Sequence, residues 1–114
     1  MLLSSGAANA DWGDVYYCQM TNWVRISLNG TKINYQLEKF QFKLDQTKKS
    51  MVFGSGGYFG NTESILDMES SYPVIEEWYA TSPNSSTFFS EGKLLESYNG
   101  YTGATAISAD CDKF

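Results

Sequence analysis

Between Thr31 and Phe53 the chain alternates apolar and polar residues with a period of two, a pattern that a half-buried β-strand uses and a helix does not. Ile33, Tyr35 and Leu37 alternate with Lys32, Asn34, Gln36 and Glu38, and Phe40, Phe42 and Leu44 alternate with Lys39, Gln41, Lys43 and Asp45. Successive side chains of a strand point to opposite faces, so each apolar set is expected to face a core and each polar set water. The phase slips by one residue at Glu38-Lys39. A turn or bulge there would keep both apolar sets on one core.

The remaining segments extend this pattern. Val15 to Met20 reads as a first strand, Thr21-Asn22 as a turn and Trp23 to Leu28 as a second strand. Val24, Ile26 and Leu28 share one face of it; Trp23, Arg25 and Ser27 share the other. Asn29-Gly30 predicts a two-residue type I′ hairpin, since both residues tolerate positive φ. A third strand follows from Thr31, a fourth over Lys39 to Asp45, and a fifth from Met51. Thr62 to Met68 and Val74 to Ala80 predict two further strands, Thr87 to Tyr98 a hairpin, and Ala104 to Cys111 the last strand. The expected fold is all-β, a small antiparallel meander of about seven to nine strands closed as a barrel or folded as a two-layer sandwich. Phe114 is expected to cover the barrel mouth.

The two cysteines, Cys18 and Cys111, fall on the first and last strands. Pairing them closes a loop of about 94 residues, and the chain-entropy stabilisation is about 4–5 kcal/mol. It also favours a barrel, in which first and last strands are neighbours. Disulfides persist in oxidising compartments. Ala8-Asn9-Ala10 has the small-x-small form of a signal-peptidase site, preceded by Leu2-Leu3. Residues 1–10 read as the remnant of an export signal or as a polar tail, and residues 11–114 as a single β domain. The expected location is periplasmic or secreted.

Composition limits the chemistry. A net charge of -5 leaves no excess of Lys and Arg for a nucleic-acid backbone, and no polybasic cluster for an anionic membrane. No apolar run is long enough to span a bilayer as a helix. There is no histidine to shuttle protons near neutral pH. The paired cysteines supply no thiolate, and the serines lack a Gly-x-Ser-x-Gly elbow. Asp67 and Glu69, two residues apart, are the remaining carboxylate pair, read as a solvated acidic face rather than a glycosidase or cation site. Asp11, Asp14, Asp110 and Asp112 read likewise as a wet terminus. No enzyme, cofactor or metal is expected.

Aromatic residues make the better binding argument. Eight Tyr, seven Phe and three Trp suit packing across strands. Gly54, Gly56, Gly57 and Gly60 bracket Tyr58 and Phe59. That loop either presents the two rings to a partner or plugs one end of the core with them. Trp23 beside Arg25, if outward, could stack on a sugar or anchor a protein contact. The expected recognition residues are thus Trp23, Arg25, Tyr58 and Phe59. The expected function is a non-catalytic exported binding domain, for a protein, a glycan or a small apolar ligand. Alternatives are a carrier with a cavity in the barrel, a protein inhibitor of an enzyme, or a structural part of a surface or viral assembly. A barrel this small should be filled by side chains, and a pocket above roughly 300 Å³ would favour the carrier.

Overall fold

A computed structural model describes residues 10–57, 59–60, 62–66 and 77–114. Its nine strands are β1 (Val15–Ser27), β2 (Lys32–Asn34), β3 (Lys39–Asp45), β4 (Ser50–Phe53), β5 (Glu63–Leu66), β6 (Glu77–Ser82), β7 (Ser85–Ser90), β8 (Lys93–Gly100) and β9 (Gly103–Lys113). All described pairings are antiparallel, in the order β2-β1-β3-β4-β5-β6-β7-β8-β9, with β9 returning to pair with β1. Eight strands thus make a nearly closed barrel-like sheet, and β2 stands outside the ring. The seam of closure is the longest ladder: eleven residue pairs join β1 to β9, from Tyr16↔Lys113 to Ser27↔Gly103. Across it Cys18 and Cys111 lie directly opposite each other and form the disulfide. The first-to-last closure expected from the cysteine positions is therefore observed.

The alternation of β3 delivers Phe40, Phe42 and Leu44 to the interior. Opposite them β6, β7 and β8 contribute Trp78, Phe89 and Leu94, and β9 contributes Ile107 and Ala109. Tyr16, Phe42 and Phe89 form a mutually contacting trio of rings with centroids 4.7–5.4 Å apart. Each such ring removes well over 100 Å² from water, so these few residues dominate the core energetics. Trp12 closes the lower end, its ring edge-on to Trp78 at 4.9 Å. Ala10 also packs against the core. The other residues read as an export remnant, 1–9, lie outside the described residues.

Several local expectations are corrected. Thr21-Asn22 is not a turn. β1 runs through it as one 13-residue strand with a bulge between Met20 and Asn22. Thr21 Oγ1 and Asn22 Nδ2 both meet Ser108 Oγ on β9, so their polarity serves the seam rather than a reversal. The extra residue resets the alternation. Tyr16, Cys18 and Met20 face inward, and beyond the bulge Trp23 does too, opposite the buried Ile107. Val24 and Ile26 are left on the outside.

The Asn29-Gly30 turn is real but of another type. Gly30 donates to the Ser27 carbonyl and Ser27 to the Thr31 carbonyl. Only Gly30 has positive φ, at 89°, making a three-residue loop rather than a type I′ turn. Ile33, Tyr35 and Leu37, expected in the core, are all exposed. β3 pairs with the lower half of β1, β2 with the upper half, and among the described residues no strand flanks the far edge of β2. Phe114 does not cover the mouth either. It is 87% exposed and packs on Tyr17 outside the wall.

The glycine-rich loop folds back onto the barrel. Phe59 is buried between Phe40 and Phe53, with ring centroids at 4.8 and 4.5 Å. Gly57 has φ of 85°, and a Cβ there would run into the Lys39 carbonyl oxygen. Gly57→Ala is expected to destabilise the fold by about 2 kcal/mol through left-handed strain and this clash. The check is a lowered urea midpoint with an unchanged slope.

Candidate functional site

The upper end of the molecule is built by two hairpins. β1 and β2 form one, with its tip at Leu28-Asn29-Gly30; β8 and β9 form the other, with its tip at Tyr101-Thr102. They are locked side by side: Leu28 N–H donates to the Thr102 carbonyl, and Arg25 Nη2 donates to Thr102 Oγ1. Asn29 Oδ1 accepts from Thr31 N–H and stiffens the first tip. Beyond the level of Met20, β3 no longer accompanies β1, so the inner side of this ribbon is only partly covered.

That geometry leaves apolar side chains in water. Leu28 is 81% and Tyr101 97% exposed at the two tips. Ile26, Ile33, Tyr35 and Tyr98 are exposed just below them. These six make up half of the twelve exposed large hydrophobic residues among the described residues. Exposed apolar residues are ordinary when scattered; gathered on one end they mark a contact surface. The only charges on the described residues of the two hairpin ends, 22–37 and 98–107, are Arg25 and Lys32.

The expected recognition residues fall in different places. Trp23 and Arg25 lie on the inner side of the upper ribbon; Trp23 is half-buried, packs against the core and meets the Tyr35 ring at a 32° tilt, with centroids 4.7 Å apart. It is therefore not the outward platform the alternation suggested. Phe59 is 8% exposed at the side of the barrel, apart from the tips. Tyr58 lies outside the described residues, as do Asp67 and Glu69. Leu28 and Tyr101 were not singled out by sequence, although each occupies a loop apex where a polar residue is usual.

One interior feature was also missed. Glu96 continues the inward series Leu94, Glu96, Tyr98 on β8, so it sits inside the barrel opposite Thr87 and Ile107. It is 6% exposed, and its Oε1 has no hydrogen-bond partner among the described residues. Burial pushes its carboxyl up to about 7. A carboxylate on an inward alternation position was the available signal. Elsewhere, burial reinforced by Asp14 raises the Tyr16 phenol to about 12. The hydrogen bond and charge of Glu63 hold exposed Lys48 above its ordinary value.

Two grooves lie on the outer wall rather than in the barrel. One of about 420 Å³ runs beside Tyr17, Gln19, Lys39, Asp110 and Asp112. The other, about 350 Å³, lies beside Phe88, Lys93, Leu95 and Ser108. Both are of a size that suits a small ligand, but most of the side chains that line them lie on the exposed faces of the strands. No group of three or more His, Cys, Asp or Glu able to hold a metal ion occurs among the described residues. No described helix is long and apolar enough to cross a membrane. Comparison with known proteins returns no matching family model, curated protein or solved structure.

Proposed function

We propose that this chain is a non-catalytic, exported interaction domain that docks through its upper, apolar end. The observation that carries this reading is the gathering of Ile26, Leu28, Ile33, Tyr35, Tyr98 and Tyr101 on two hydrogen-bonded hairpins. A nearly closed, aromatic-filled barrel provides the rigid base. Binding elements held on a stiff scaffold lose little conformational entropy on association. The carrier alternative draws less support, because the described interior is filled by Trp78, Phe42, Phe89, Met20 and Leu44. The buried disulfide is compatible with an oxidising extracellular compartment and supports a periplasmic or secreted location.

The test is photo-crosslinking in cells that export the protein. A photoreactive residue replacing Leu28 or Tyr101 is expected to give discrete adducts, and one replacing Leu95 on the outer wall is not. Adducts from Leu95 alone, or equal patterns from all three positions, would falsify the docking-end reading.

A further inference from the structure

We infer that the partner of the upper end is the surface of an anionic phospholipid bilayer, an inference that rests on the docking-end reading above. Three features of the end point there. The first is shape. The two most exposed apolar side chains of this end, Leu28 and Tyr101, sit on hairpin apexes and need no complementary cleft in a partner. A deformable lipid interface accepts such a shape, and Tyr rings favour its boundary, with an apolar body and a polar hydroxyl.

The second feature is depth. Arg25 lies three residues before Leu28, and Lys32 pairs with Ile26 across the hairpin. At a strand rise of about 3.3 Å the backbone of these two residues lies roughly 7–10 Å behind the tip, while the Arg25 guanidinium reaches forward to Thr102. Interfacial protein segments bury their apolar face about 5–10 Å into the headgroup and acyl boundary. With Leu28 and Tyr101 at that depth, Lys32 stands at the level of the lipid phosphates, and Arg25 stays tied to Thr102 between the tips.

The third is charge segregation. The whole chain carries -5, which by itself argues against an anionic surface. Yet the hairpin ends carry two cations and no acid among the described residues. Asp110 and Asp112 lie seven and nine residues down β9 from Gly103, or roughly 23–30 Å. The Debye length at physiological ionic strength is about 8 Å, so those carboxylates are screened from a surface touching the tips. Glu96, the nearest described carboxyl in register, faces the barrel interior.

The experiment is co-sedimentation of the oxidised, full chain with vesicles of phosphatidylcholine alone and of phosphatidylcholine with one-third phosphatidylglycerol. Binding is expected to the anionic vesicles, weaker to the zwitterionic ones, and falling with added salt. Leu28→Asp with Tyr101→Asp should weaken it by about a hundredfold or more. Lys32→Glu should weaken it about thirtyfold on anionic vesicles and leave the residual zwitterionic binding unchanged. Leu28→Ser with Tyr101→Ser gives a milder pair, and the melting curve of each variant reports its folding. No binding to anionic vesicles, or binding indifferent to both tip pairs, overturns the lipid assignment. If vesicle binding fails while residues 28 and 101 still crosslink to a protein, the lipid assignment falls and the docking-end reading stands. If neither vesicles nor crosslinks report the tips, both fall.

Discussion

Replacing Cys18 and Cys111 together with alanine is expected to lower the thermal midpoint by about 20 °C. The disulfide spans a sequence separation of 93 residues, nearly the whole described chain. A loop that long restricts the unfolded ensemble by about 4–5 kcal/mol on the chain-entropy account. For a domain near 100 residues each kcal/mol moves the midpoint by about 4–8 °C. The native ring itself does not depend on the bond, because eleven residue pairs hold β1 to β9. The variant should therefore fold, with near-native far-ultraviolet circular dichroism at 25 °C, about room temperature for these stability scales, and melt early. A midpoint shift under about 5 °C would mean that the unfolded chain already keeps β1 near β9, so that the bond restrains little. Both sulfurs belong to buried residues, so reduction of the folded protein should be slow and should quicken with denaturant.

The second large effect is a pH dependence controlled by one side chain. Glu96 has its folded-state carboxyl raised from 4.5 to about 7 by burial. Below the unfolded value the group is protonated in both states and costs nothing. As pH rises from about 4.5 to 7 the unfolded chain ionises first, so stability falls, by about 3 kcal/mol in total. Glu96→Gln removes the titration. The variant should match the parent near pH 4.5 and exceed it by about 3 kcal/mol at pH 8. Urea unfolding of both proteins across that range checks this, and parallel pH profiles would contradict it. An unpaired carboxyl in a hydrophobic wall is costly to keep ionised.

The sequence and the structure divide the work in a way particular residues make plain. Alternation located β3 to the residue, because Phe40, Phe42 and Leu44 all pack against one continuous core and the residues between them meet water. It placed Thr105, Ile107, Ala109 and Cys111 on one face of β9, and they are inward. The same rule failed at β2, whose Ile33 alternates like a core residue yet meets water. Period two states that a strand has two faces; it does not state that another layer covers one of them. At β1 the rule failed for a different reason. One bulged residue inverted every side chain beyond Met20, turning Trp23 inward. The proposed docking end combines both failures, and so alternation points to Trp23 rather than to Leu28 and Tyr101.

By itself the sequence determined the class of the fold, most strand positions and the stitching of first strand to last, since these follow from local alternation and from the position of two cysteines. Only the tertiary structure decided which faces of β2 and of the upper half of β1 are wet, where the ring stops and what projects beyond it. Those outcomes depend on whether a neighbouring strand is present at each level of the barrel, and contacts between residues distant in sequence set that.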